Sequence, residues 1–72
     1  MQTLEQLRQQ YIDDVEDLEI KIEKYKQRLR QAQKIKDFDD VFICQRLLKV
    51  FHHEKEDMKF TIKALTKYIE GD

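Results

Sequence analysis

The feature that most constrains this chain is an apolar repeat that keeps heptad spacing through each half of the sequence. In the first half, apolar residues from Tyr11 onward are separated alternately by four and three positions. The sequence contains no proline, and its one glycine, Gly71, is next to the end. An uninterrupted period of about 3.5 residues is typical of a helix that coils around a partner helix. The sequence therefore predicts an all-α protein built from long helices.

The first helix is predicted to begin at a capping box. Thr3 is followed three residues later by Gln6, and in this motif each side chain accepts a hydrogen bond from the other residue's backbone N–H. Heptad spacing then continues to Ala32, with one polar interruption at Arg8. We therefore expect a first helix over about residues 3–35.

Residues 36–40, Lys-Asp-Phe-Asp-Asp, are the predicted turn between two helices of nearly equal length. Asp37 or Asp39 can cap a second helix over about residues 40–70, and Gly71 suits a left-handed residue at its end. The chain is then one helical hairpin, a single domain over its full length. A single unbroken helix is the alternative, because the turn contains neither glycine nor proline.

Folding the chain at this turn brings the two apolar repeats together as an antiparallel coiled coil. In the predicted register Leu29 faces Cys44, and Ile22 faces Phe51. Both helices keep that register from the turn to the termini, which favours the hairpin over a chance pattern. The predicted hairpin seam consists of Val15, Leu18, Ile22, Tyr25, Leu29, Cys44, Leu48, Phe51, Met58, Ile62 and Leu65.

A second set of apolar residues lies outside this seam, and two packed helices alone cannot cover it. Monomers rarely expose apolar patches larger than a few hundred Å². The sequence therefore predicts that two hairpins dimerise into a four-helix bundle. The predicted dimer interface consists of Leu7, Ile35, Phe42, Ile43, Leu47, Val50 and Tyr68.

The charge distribution predicts how the two hairpins are oriented. Residues 21–36 carry seven basic side chains and one acidic side chain, whereas the first half of the same helix is acidic. Packing two hairpins with their turns at opposite ends places basic halves beside acidic halves. Packing them turn to turn places like charges together, so we expect the antiparallel arrangement.

The residues that could carry chemistry do not form a recognisable site. Cys44 is the only cysteine, which excludes an internal disulfide and favours a reducing, cytoplasmic location. His52 and His53 are followed by acidic residues, but a metal site needs three or four converging ligands. No nucleophile, base and orienting group can be assembled. We therefore expect no enzyme activity, no cofactor, no metal, no small-molecule substrate and no membrane-spanning segment.

The basic second half of the first helix suggests an alternative function. Lys24, Arg28 and Arg30 are the residues expected to contact nucleic acid if this surface binds it. The predicted architecture resembles antiparallel hairpin dimers of the Rop type, which bind RNA, and that resemblance implies a nucleic-acid-binding regulator. The leading hypothesis is instead a self-associating helical module that acts through protein–protein contact, with itself or with another protein.

Overall fold

The structure, a computed structural model, describes residues 1–71 as two helices that pack against each other. Helix α1 spans Leu4–Lys34 and helix α2 spans Phe38–Glu70. The hairpin measures 53 × 16 × 16 Å, and its Cα radius of gyration is 16.3 Å. A compact domain of this length would have a radius of gyration of about 11 Å. The molecule is therefore a two-helix rod with a large surface for its volume.

Helix α1 begins as the sequence predicts. The Gln6 backbone N–H donates to the Thr3 hydroxyl at 3.1 Å, and the Thr3 backbone N–H donates to the Gln6 side-chain oxygen at 2.9 Å. Both bonds of the capping box are present, so two backbone donors at the helix start are satisfied.

The turn is shorter than the sequence predicts, because one left-handed residue, Lys36, changes the direction of the backbone between the two helices. Lys36 has a φ of 58°, in the left-handed region. The Lys36 N–H donates to the Gln33 carbonyl at 3.3 Å, and the Asp37 N–H donates to the Ala32 carbonyl at 2.9 Å. These are the two bonds of a Schellman motif, which usually has glycine in the left-handed position. Helix α2 consequently begins at Phe38 rather than near residue 40.

Asp37 provides the cap of α2, and Gly71 ends that helix. The Asp37 carboxylate accepts a hydrogen bond from the Asp40 backbone N–H at 3.3 Å. At the other end Gly71 has a φ of 78°, and its N–H donates to the Tyr68 carbonyl. The left-handed C-cap predicted for Gly71 is confirmed.

The core is a narrow strip between the helices, concentrated in the middle of the rod. Leu18, Ile22 and Leu48 form its central cluster, and Tyr25 and Phe51 are among the half-buried residues that pack against it. Within residues 1–71 the buried apolar side chains are Val15, Leu18, Ile22, Ala32, Cys44 and Leu48, of which Cys44 alone is completely buried.

Towards the termini the seam is less well covered than near the turn. Tyr11, Ile62 and Leu65 are half-buried, and Leu4 is exposed. Arg8, which interrupts the apolar repeat, donates to the Thr66 hydroxyl at 3.4 Å across the two helices. This end of the hairpin therefore holds together with fewer buried contacts than the turn end.

Candidate interaction surfaces

The residues predicted for the hairpin seam all lie at buried or half-buried positions between the helices. The rings of Tyr25 and Phe51 pack with their centroids 5.4 Å apart. Cys44 is completely buried, so its thiol packs as a small apolar group and is closed to reagents. The seam therefore holds the hairpin together, and it leaves the outer surfaces available for other contacts.

One outer surface lies along the side of the hairpin where Arg28 and Asp40 meet. Arg28 is one heptad before Ile35, and Asp40 is one heptad before Leu47. Arg28 Nη2 lies 2.6 Å from Asp40 Oδ1. This ion pair places the row of α1 that contains Arg28 and Ile35 on the same side as the row of α2 that contains Asp40 and Leu47. We define the Leu47 face as the apolar residues on this side, which are Leu7, Ile35, Ile43, Leu47, Val50 and Tyr68.

The Leu47 face is largely open in the isolated hairpin. Ile35 is 64% exposed and Tyr68 is 78% exposed, whereas Leu7 and Leu47 are half-buried. The whole hairpin exposes 5964 Å². A compact monomer of 8.9 kDa would expose roughly 4,800 Å², so the excess is roughly 1,100 Å². That excess is spread over all sides of the rod, and it is comparable with the about 800 Å² that each partner buries in a standard stable interface.

Phe42 belongs to a different surface from the other predicted interface residues. It stands five positions before Leu47, and at roughly 100° per residue it is therefore about 140° away around the helix. The Arg46 guanidinium lies 5.4 Å from the centre of the Phe42 ring. We define the Phe42 groove as the shallow depression lined by Phe42, Gln45, Arg46, Lys49, Val50 and His53.

The Arg28–Asp40 ion pair is a feature that the sequence analysis missed. Arg28 Nη2 and Nε donate to the two carboxylate oxygens of Asp40 at 2.6 and 3.1 Å, a bidentate geometry. The hydrogen bond from Arg28 is the largest cause that lowers the pKa of Asp40, and it also raises the pKa of Arg28. The predicted register puts Arg28 opposite residues farther from the turn. Both residues occupy the same heptad position beside the seam, on the same side of the hairpin. That shared position was the one sequence signal for the contact.

The candidate nucleic-acid residues are only partly brought together. Lys24 and Arg28 share a shallow surface with Lys21 and Tyr25. Arg30 lies apart from it, with Nη2 3.9 Å from a Glu23 carboxylate oxygen. Because Arg28 already forms a bidentate pair with Asp40, part of its charge is neutralised and its attraction for phosphate is reduced.

The histidine pair lies on the solvent side of α2. His52 and His53 line a shallow surface together with Lys49 and Glu56. Among residues 1–71, no three His, Cys, Asp or Glu side chains converge closely enough to hold a metal ion. The chemistry of this surface is therefore that of a polar, solvated helix face.

Three large apolar side chains stand out on the remaining surface. Ile20 and Phe60, which the heptad pattern points outward, are 68% and 75% exposed. Phe38, which the sequence analysis assigned to the turn, is the first residue of α2 and is 73% exposed. Of the two candidate caps, Asp37 and Asp39, the structure uses Asp37, which places Phe38 in the first turn of the helix.

Neither helix has a stretch long and apolar enough to span a bilayer, as far as the described residues 1–71 extend. Comparisons of the chain with protein-family models, with curated proteins and with solved structures found no match.

Proposed function

We propose that this protein is a self-associating helical hairpin whose two-fold dimer, a four-helix bundle, acts as an assembly or adaptor element through protein–protein contact. In the dimer the Leu47 face of one copy packs against the Leu47 face of another. A two-fold dimer uses the same surface on both copies, so this face must be self-complementary.

The observation that carries the proposal is the Leu47 face. Its six apolar residues lie in rows along one side of the rod, where four of them are exposed and Leu7 and Leu47 are half-buried. At about 25 cal/mol per Å², burying part of the excess surface offsets the cost of bringing two hairpins together. A chain this small usually needs such support, because a core of fewer than about 70–80 residues seldom supplies more than about 3–5 kcal/mol.

Charge and apolar pattern along the Leu47 face support packing with the turns at opposite ends. In that arrangement we expect Ile35 of one copy to lie beside Tyr68 of the other, so that apolar ends meet. Packing in the other sense would place the basic segments of the two α1 helices together, which costs free energy.

The test is the molar mass in solution of variants on this face. We expect the wild-type protein to sediment as a dimer at micromolar concentration and Leu47→Glu to sediment as a monomer. The two-fold interface would bury two new carboxylates, each costing at least about 1.4 kcal/mol, so the dimer Kd rises about 100-fold or more. Phe60→Glu is the matched control, since it places the same charge on an exposed outward position and leaves the dimer intact.

A second variant guards against loss of folding, because Leu47 is half-buried in its own hairpin. Ile43→Glu, at a more exposed position of the same face, is expected to give the same monomer with unchanged helix content by circular dichroism. A wild-type protein that is monomeric at micromolar concentration contradicts the proposal. A steeply salt-dependent gel shift with RNA or DNA would favour the nucleic-acid hypothesis instead.

A further inference from the structure

The Phe42 end of the Phe42 groove stays open when two Leu47 faces pair, because Phe42 and Arg46 point away from that face, whereas Val50 borders both surfaces. Arg46 is two positions from both Cys44 and Leu48, which are buried against α1, so it faces away from α1. Phe42 is 59% exposed and Val50 is 50% exposed. Arg46 and Lys49 lie beside them, and the Arg46 guanidinium packs over the Phe42 ring at 5.4 Å. The groove is thus an apolar patch flanked by cations.

The opposite side of the hairpin carries a surface with the complementary properties. Ile20 is two positions from both Leu18 and Ile22, so it faces away from α2, and it is 68% exposed. The residues three or four positions from Ile20 share its face of the helix. They are Glu16, Asp17, Glu23 and Lys24, all exposed, so three acids outnumber one base. We define the Ile20 surface as Ile20 with these four charged residues, whose net charge is negative.

We propose that the Phe42 groove binds the Ile20 surface of a second copy of this chain. Ile20 contacts Phe42, while the neighbouring carboxylates face Arg46 and Lys49. The occupant is a second copy because the chain itself presents an exposed apolar side chain, Ile20, among mainly acidic residues. These acidic residues complement the cations of the groove. Complementary potentials of this kind select the partner and fix its register.

This contact differs in symmetry from the two-fold dimer. The groove and the Ile20 surface face opposite directions, so each copy that binds one neighbour still presents a free surface to the next. Such a heterologous contact produces open chains unless its rotation closes a ring. Assembly is therefore expected to continue past the dimer as the protein concentration rises.

The contact is expected to be weak and sensitive to salt. A single apolar side chain with its acidic neighbours covers much less than the roughly 800 Å² per partner of a stable interface. Its charges are solvent-exposed, so screening at about 1 M salt, where the Debye length is about 3 Å, removes most of their attraction. Assembly beyond the dimer should thus appear at high protein concentration and low salt.

The experiment follows the weight-average mass by sedimentation over a range of protein concentrations. In low salt the wild-type mass is expected to rise above that of the dimer, and to return to it in about 1 M salt. Arg46→Glu, in the groove, and Asp17→Lys, on the Ile20 surface, each place like charges together. Each is expected to raise the Kd of the contact between the groove and the Ile20 surface at least tenfold. The double variant restores opposite charges and is expected to recover the growth.

Lys67→Glu is the matched control, because it makes the same charge change on α2 outside the groove and should leave growth unchanged. A wild-type mass that stays at or below that of the dimer at every concentration overturns the proposal. It is also overturned if Arg46→Glu behaves like Lys67→Glu, or if the double variant stays as weak as the singles. Failure of the two-fold dimer gives a different result, since growth would then proceed from monomers.

Discussion

Arg28 and Asp40 join the two helices near the turn through a bidentate ion pair. Their side chains are 53% and 21% exposed, so water screens the pair and its contribution to stability is modest. Its physical effect is more readily seen in the titration of Asp40. The hydrogen bond from Arg28 holds the pKa of the Asp40 carboxyl below its ordinary value.

The lowered pKa of Asp40 gives a signed prediction for stability in acid. A carboxyl whose pKa is lower in the folded state stabilises it above the unfolded-state pKa of about 3.9. That contribution is lost as the pH falls through the lower, folded-state pKa. We therefore expect the free energy of unfolding of Asp40→Asn to fall less than that of the wild type below about pH 4. Urea denaturation at a series of pH values measures the difference.

Asp39→Asn is the matched control for this titration. Asp39 is also an acidic residue in the first turn of α2, so its replacement removes the same interaction with the helix dipole. If Asp40→Asn and Asp39→Asn have the same acid dependence, then the Arg28 contact does not govern the titration.

At the scale of the elements, the ends of both helices depend on local side-chain chemistry. Thr3 with Gln6, and Gly71, are identified by residue type and spacing, and the sequence predicts both correctly. The turn is different, since neither glycine nor proline marks it. Its position depends on a left-handed Lys36, a conformation that lysine adopts only where the surrounding bonds favour it. The boundary of α2 was therefore placed about two residues too late.

The strain at Lys36 predicts that glycine improves the turn. A non-glycine residue in the left-handed region costs roughly 1–2 kcal/mol, whereas glycine loses about 0.5–1 kcal/mol of extra entropy on folding. Lys36→Gly is therefore expected to raise the free energy of unfolding by about 0.5–1 kcal/mol. Urea denaturation at fixed protein concentration measures this change.

Lys34→Gly is the control that separates backbone strain from loss of a lysine. Lys34 is the last residue of α1 and is helical, so glycine there should lower stability by up to about 1 kcal/mol. The explanation fails if both glycine variants shift stability in the same direction.

At the scale of the whole molecule, the sequence predicts how much apolar surface is left over more readily than how it is divided. The residues outside the seam follow directly from heptad positions, and most are exposed. Their division into a Leu47 face and a Phe42 groove depends on angular position around α2, which separates Phe42 from Leu47. Whether and by what each surface is covered is a property of the proposed assembly, which the fold of one chain does not contain.

The orientation of the proposed dimer is tested by cysteine crosslinking. The turn of one hairpin should lie beside the termini of the other, because this places the basic half of each α1 beside the acidic half of its partner. Ile35→Cys and Tyr68→Cys therefore form a disulfide with each other when the two single variants are mixed. Neither should crosslink efficiently alone, since disulfides need Cα atoms within about 7 Å.

Native Cys44 does not interfere with this experiment, because it is completely buried in the seam. Oxidation of the mixture, followed by mass spectrometry of the crosslinked peptides, identifies the pairs. Rapid formation of an Ile35→Cys homodimer joins two turns and contradicts the antiparallel sense. The Leu47 face would then still be the interface, but the two hairpins would pack turn to turn and the basic halves of the two α1 helices would lie side by side. The crosslink thus tests orientation separately from the existence of the dimer, which the Leu47→Glu variant tests.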